Sequence, residues 1–246
     1  MNRNLFSITE FTKESFPEYT CPRCNSHLAW GEFSDEDNAE TRIASSDPDF
    51  ESDWVRRGFR ADLKCSSSRC GERVLCVGTG VVNHISGEFQ GGWHEEWVDT
   101  WTPNFFLPSL KVFEMPPNTP PNVRSSVWAS FRVLFLSSGS ALNEVRNALE
   151  FLMDHLEVPR IAAGGKALAL HKRVEMMPQT HVQYRDNLLA VKWLGNAGTH
   201  SDPTRRTDVL DAYDILHDVL DGMFSGRADR LKRLVDQINS QKAPVN

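Results

Sequence analysis

The sequence predicts an α+β protein, with a β-rich N-terminal region followed by a four-helix C-terminal domain. Residues up to about Pro116 are rich in aromatic side chains and lack helical periodicity. A run of prolines follows, and beyond it apolar side chains recur at helical spacing. We therefore expect a β-rich domain over residues 1–116 and an α-helical domain over residues 122–246.

Two segments of the N-terminal region have the patterns of strands. Residues 74–82 are a β-branched run interrupted by glycine, and residues 96–101 alternate aromatic and polar side chains. Between Glu32 and Asp53, nine acidic residues accompany a single basic one, Arg42. This charge excess predicts a solvated loop whose order the sequence leaves open, with an acidic mimic of nucleic acid as the alternative.

Four of the five cysteines form two close pairs, Cys21 with Cys24 and Cys65 with Cys70. An odd cysteine count in a chain without an export signal disfavours disulfides. Four thiolates are the ligands that tetrahedral zinc prefers, so the pairs predict a structural zinc ribbon with no open coordination position. His27 is an alternative ligand, and Cys76, within a predicted strand, is expected to be a core residue.

Composition limits the classes of function. Apolar residues make up 40% of the chain and charged residues 24%, as in ordinary globular proteins. The net charge of -6 argues against sequence-blind DNA binding through a basic surface. The N-terminus lacks the apolar stretch of a signal peptide, and the most apolar segment, residues 127–136, is too short to cross a membrane. We expect a cytoplasmic protein with no membrane partner.

The C-terminal domain begins after a proline-rich linker. Four prolines within residues 116–121 exclude both a helix and a central strand. The spacing of Trp128, Phe131 and Phe135 predicts a first helix, and the apolar series from Leu142 to Leu156 predicts a second with Ser140 as its N-cap. After a Gly164-Gly165 break, further helices are predicted over about 167–177, 183–196 and 208–224. The four stronger helices predict an antiparallel bundle, followed by a weaker basic helix after Gly226.

Three landmarks of this domain carry a family resemblance. They are Arg146-Asn147-Ala148-Leu149-Glu150, then Gly195-Asn196-Ala197-Gly198-Thr199-His200, then the helix that begins near Asp208. In this order they resemble the bacterial domain-of-unknown-function 4145 family, which often carries a Cys-Pro-x-Cys ribbon in front. That family is similar to the HEPN superfamily of helical bundles. The resemblance implies a HEPN-like four-helix bundle and a setting in bacterial defence, restriction or toxin systems.

Many HEPN proteins are metal-independent ribonucleases whose motif ends in Asn-x-x-x-His, which Asn196 and His200 match. Glycine stands at position 195, where the motif has its arginine, so Lys192 or Arg146 would have to supply the cation. His200 would move the proton. The alternative is structural: Asn196 and His200 cap the helix end, Arg146 pairs with Glu150, and Gly195 allows close helix approach.

Two functions stay open from the sequence. The first is a non-catalytic or regulatory zinc-ribbon and HEPN-like module that binds RNA or protein. The second is a HEPN-like endoribonuclease that uses His200. Since HEPN bundles commonly pair, we expect a homodimer through the helical domain in either case. The tryptophans at 93, 97 and 101 are interpreted as core residues, with base stacking as the alternative.

Overall fold

The computed structural model describes residues 1–89, 92–197, 204–242 and 244. It divides into two compact units. The sheet unit comprises Asn2–Val112 with Phe131–Leu136, and the helical unit comprises Met1, Phe113–Ser130 and Ser137–Asn246. The first contains an antiparallel sheet and the second is built from helices, which confirms the predicted α+β class.

The sheet is a four-stranded antiparallel meander. Its strands are β1 (Leu28–Asp37), β2 (Arg56–Cys65), β3 (Arg73–Phe89) and β4 (Gly92–Leu107), in the spatial order of the sequence. The predicted strand segments 74–82 and 96–101 lie in β3 and β4. Short helices α1 (Arg3–Ser7) and α2 (Ala39–Ala44) accompany the sheet.

Aromatic side chains form the core of the sheet unit. Trp101 is fully buried, and the rings of Phe33 and Phe59 pack edge-on against it. Phe11 contributes a further ring against Phe59 and exchanges two backbone hydrogen bonds with Trp101. Aromatic pairs in these orientations add to the free energy gained by burying their area. The prediction that the three tryptophans are core residues is confirmed only for Trp101, because Trp93 and Trp97 are exposed.

The acidic segment contains a strand and a short helix, which corrects the expected loop. Residues up to Asp37 form edge strand β1, and α2 follows after Asn38, whose side chain accepts a hydrogen bond from the Thr41 amide. Arg57 of the neighbouring strand binds Asp37 at 3.0 Å and Asp99 at 2.8 Å. A charged outer face is compatible with an edge strand once the adjacent strand supplies a counter-ion.

Gly80 of β3 leaves room for the Trp101 ring in the facing strand. An added Cβ at Gly80 would lie 2.2 Å from a ring carbon of Trp101, which is closer than any real contact. Because this indole is the centre of the core, it cannot move without cost. We expect Gly80→Ala to lower the free energy of unfolding of the sheet unit by about 2 kcal/mol, measured by urea denaturation.

Gly58→Ala in neighbouring β2 is the matched control. No heavy atom lies within 4 Å of a Cβ added at Gly58, so the same change of residue meets open space there. Its effect should stay within about 0.5 kcal/mol. Equal losses in the two variants would mean that the Trp101 ring does not depend on Gly80.

The helical unit contains α3 (Pro121–Val133) as far as Ser130, and α4 (Ser138–His155), α5 (Leu170–Glu175), α6 (Arg185–Ala197), α7 (Arg206–Phe224) and α8 (Arg227–Gln241). The helix α3 begins at Pro121, where a missing amide hydrogen has no helical partner to lose. Apolar side chains at helical spacing fill the unit's core, among them Leu142, Leu149, Leu152, Leu188, Val191, Leu210, Leu216 and Leu220. The expected helices are thus present, with α5 shorter than predicted.

Polar contacts hold the N-terminal end of α4 in place. The Ser137 side chain accepts a hydrogen bond from the Ser140 amide at 3.2 Å, so Ser137 and not Ser140 is the N-cap. Inside the unit, the Ser130 hydroxyl donates to the Ala141 carbonyl at 2.7 Å and lies 2.6 Å from the Tyr213 hydroxyl. This contact links α3, α4 and α7 through buried polar groups that satisfy one another.

The last helix has an apolar stripe that faces solvent. Its exposed residues are Leu231, Leu234, Val235 and Ile238. They recur at spacings of three and four, as on one side of an amphipathic helix. Within the described residues, no helix combines the length and apolar character needed to span a membrane.

Candidate metal centre and buried cation pair

The two cysteine pairs meet at one place in the sheet unit. The sulfur atoms of Cys21, Cys24, Cys65 and Cys70 all lie within 4.8 Å of one another. Two of the separations are short, 3.8 Å between Cys21 and Cys70 and 3.4 Å between Cys24 and Cys65. The cysteines are free thiols rather than disulfides. They therefore form one four-sulfur group that could hold a metal ion.

The antiparallel register explains why residues more than 40 positions apart come together. Cys65 is the last residue of β2 and lies opposite Leu28, the first residue of β1. The first cysteine pair immediately precedes β1, and the second spans the connection from β2 to β3. Consequently both loops lie at the same end of the sheet, and the Ser66 amide donates to the His27 carbonyl at 2.9 Å to join them.

The two cysteine loops turn in the same way. The residue after each second cysteine has a left-handed backbone, with φ of 62° at Asn25 and 63° at Gly71. Asparagine and glycine are the residues that tolerate this conformation best. In the first loop the Cys21 amide donates to the Ser26 carbonyl at 2.7 Å. The two turns together bring all four sulfur atoms within 4.8 Å of one another.

The sulfur geometry fits zinc. Tetrahedral zinc with bonds of about 2.3 Å to sulfur places its ligands about 3.8 Å apart. The separations of 3.8 and 3.4 Å agree with that spacing and far exceed a disulfide bond. Hydrogen bonds from Ser26 lower the pKa of the Cys24 thiol to about 6, so it is mainly a thiolate at neutral pH. Burial raises the pKa of the Cys65 thiol to about 12. A bound metal ion would lower this pKa because it stabilises the thiolate form.

The remaining sequence candidates lie apart from this group. Cys76 is fully buried in β3, as expected for a core residue, and burial raises the pKa of its thiol. His27 joins the two loops through its backbone carbonyl, and it is absent from the metal-ligand group found within the described residues.

The candidate site in the helical unit is only partly visible. His200 lies outside the described residues, whereas Arg146 in α4 and Lys192 and Asn196 in α6 lie within them. An added Cβ at Gly195 would lie 3.2 Å from the Cβ of Arg146, so this glycine allows α6 to approach α4 closely. The expectation for Gly195 is confirmed. The assignment of His200, Asn196, Lys192 and Arg146 as catalytic residues stays a prediction.

Lys192 and Arg146 form a pair of like charges, which we call the cation pair. Lys192 is only 7% exposed, and its pKa is lowered by burial and then by the charge of Arg146. Its ammonium lies 3.2 Å from the ring centroid of Trp193. The Nε of Arg146 is buried and has no hydrogen-bond partner. Among the described residues, no carboxylate forms an ion pair with either cation.

The expected pair between Arg146 and Glu150 does not form. The Glu150 carboxylate instead accepts from Arg173 of α5. Arg173 is fully buried and also donates to Asp154 at 2.7 Å and to the Val158 carbonyl at 2.9 Å. Sequence reasoning did not identify Arg173, because its partners lie 15 to 23 positions earlier in the chain.

Comparison with known families divides the chain into an N-terminal and a C-terminal region, as the sequence analysis predicts. Residues 9–106 match a domain of unknown function (DUF8608), and residues 129–241 match a second domain of unknown function (DUF4145). The second match supports the resemblance drawn from Arg146, Asn196 and their neighbours. No curated protein and no solved structure matches the chain. Neither family description states an activity.

Proposed function

We propose that a chain built from these two domains of unknown function is a non-catalytic binding or regulatory module clamped by a structural zinc ion. Cys21, Cys24, Cys65 and Cys70 would hold the ion as thiolates. The single observation that carries this proposal is the convergence of four sulfur atoms within 4.8 Å of one another. With four protein ligands, the ion has no open position for water and serves the fold rather than chemistry.

The setting of this module belongs to the same proposal. Free cysteines at the ends of β1 and β2 favour a reducing compartment such as the cytoplasm, because oxidation to disulfides would destroy the metal site. A role in bacterial defence, restriction or toxin systems, as a homodimer with an RNA or protein partner, comes from the resemblance to HEPN proteins. Fold alone does not establish such a role.

A second candidate function is metal-independent RNA cleavage. It is favoured by one observation, the cation pair of Arg146 in α4 and Lys192 in α6, where Asn196 follows Lys192 by one turn. Such cations would stabilise the charge that develops at phosphorus during cleavage. His200 would transfer the proton. The glycine at position 195 weighs against this function because it supplies no charge.

One experiment separates the two functions. Zinc-loaded protein is desalted into a buffer free of other divalent ions and incubated with labelled RNA, beside a His200→Ala variant. The proposed module should contain one zinc ion per chain and leave the RNA intact. RNA cleavage by the wild type that disappears in His200→Ala would establish the ribonuclease instead. A protein that purifies without zinc would contradict the metal-clamped module.

A further inference from the structure

A shallow groove on the sheet unit is lined by apolar side chains that face solvent. It has a volume of about 570 Å³ and is formed by α2, the loop after it and the single helical turn Ser52–Trp54. Ile43 is 75% exposed and Trp54 is 43% exposed, and Ala44 and Pro48 complete the apolar lining. Apolar side chains gathered in one exposed groove with a polar rim are typical of a surface that binds a partner.

The walls of this groove are held in place by contacts within the sheet unit. The buried Thr41 hydroxyl donates to the Arg56 carbonyl at 2.8 Å and accepts from the Arg56 amide at 2.7 Å, which ties α2 to the start of β2. Ile43 follows Thr41 by two positions and therefore lies on the opposite side of α2. The ring of Phe50 packs edge-on against Trp54 at 6.1 Å. Because the groove is already formed, a partner need not order it on binding.

The rim of the groove is acidic. Glu40 and Asp47 are exposed and line it. In the part of the chain that the structure describes, neither carboxylate forms an ion pair. Arg42 and Arg56, the arginines of this segment, donate to backbone carbonyls instead. The charge of the groove therefore attracts a cationic partner and repels nucleic acid.

We propose that this groove binds a segment of a partner protein that carries an arginine beside apolar side chains. The aliphatic stem of an arginine covers apolar surface such as Ile43. Its planar guanidinium stacks on an aromatic ring such as Trp54 and donates to carboxylates. Since the groove contains none of the four clustered cysteines and none of the residues considered for RNA cleavage, this binding surface goes beyond the proposed function.

The test uses the zinc-loaded full chain and a short synthetic peptide in which arginine alternates with leucine. Binding is followed by NMR at the indole N–H of Trp54, which is assigned by its loss in Trp54→Leu. The peptide is expected to shift this signal. A peptide with serine in place of leucine should bind at least about fivefold more weakly, because the apolar contact is lost. A peptide with glutamate in place of arginine should not bind.

Two variants separate the apolar and the acidic contributions. Ile43→Ser should weaken binding of the arginine-leucine peptide about tenfold, and it removes little packing because Ile43 is mostly exposed. Glu40→Gln combined with Asp47→Asn keeps the shape of both side chains, removes their charge and should also weaken binding about tenfold. The matched control is Glu18→Gln combined with Asp218→Asn, which removes two exposed charges elsewhere and should change binding less than about twofold.

Three results would overturn this docking surface. The first is a Trp54 signal that the arginine-leucine peptide does not shift, and the second is equal binding by the two double variants. The third is a Trp54 signal that shifts with protein concentration in the absence of peptide, which would mean that a second copy of the chain fills the groove. Zinc content is measured on the same samples, so loss of the metal and loss of peptide binding are distinguished.

Discussion

Cys24→Ser is expected to unfold the sheet unit while the helical unit stays folded. Cys24 is exposed, so the substitution removes almost no packing, and its effect would come through the zinc ion that we propose. In small zinc domains the ion contributes about 10–16 kcal/mol of apparent binding free energy, which is comparable with the whole stability of a domain. We expect the thermal midpoint of the sheet unit to fall by about 15 °C or more.

Hydrogen exchange resolves this effect by unit. Amides of β2 and β3 should lose protection in Cys24→Ser, and amides of α4 and α7 should keep it. A strong zinc chelator added to the wild type should reproduce the same pattern. Arg23→Ser is the matched control, because it changes an exposed neighbour in the same loop to the same residue. If both variants behave alike, the cysteine has no ligand role.

Arg173→Met is expected to lower the free energy of unfolding of the helical unit by about 3 kcal/mol. Arg173 is fully buried and joins Glu150, Asp154 and the Val158 carbonyl. Arg160 and then Arg173 lower the pKa of Asp154, so this carboxylate is charged at neutral pH. Loss of Arg173 leaves two acids side by side and an unpaired carbonyl in the interior.

Arg160→Met is the control on the same carboxylate. Arg160 binds Asp154 at 2.9 Å, but its side chain is 56% exposed, so water screens the interaction. Its loss should cost less than about 1 kcal/mol. Denaturant unfolding of both variants, followed by helical circular dichroism, measures the difference. Equal costs would mean that burial of Arg173 contributes nothing beyond a surface ion pair.

The local sequence pattern was sufficient to predict much of this fold. Apolar side chains at helical spacing predicted α4, α6 and α7, because burial of one face imposes that spacing on the sequence. The proline run predicted the change from strands to helices, and α3 begins at its last member, Pro121. The pairing of cysteines across more than 40 residues was predictable because metal ligands are few in kind and recur in close pairs.

Features that depend on distant partners were not predictable. The strand β1 reads as a loop because its acidic residues are favourable only once Arg57 of β2 lies beside them. Glu150 has Arg146 one turn away, yet it pairs with Arg173, because the fold buries that arginine against α4. A cluster of serines contains the N-cap of α4, and sequence alone did not choose Ser137 over Ser140.

Prediction of the candidate site in the helical unit was limited in the same way by contacts between distant residues. The resemblance drew attention to Asn196 and His200, whereas the charges that distinguish the described structure are those of Lys192 and Arg146. Their proximity depends on Gly195, which the sequence marks only as a missing arginine. The burial of Lys192 beside Arg146 arises from the packing of α4 against α6 and has no local sequence signal.

X-ray absorption spectroscopy at the zinc edge measures the ligand set of the proposed ion. We expect one zinc ion per chain with four sulfur ligands at about 2.3 Å and no nitrogen or oxygen ligand. A first shell that contains nitrogen or oxygen would mean that His27 or water replaces a thiolate and would contradict the closed four-cysteine site. A protein whose sheet folds without any metal would also contradict this site.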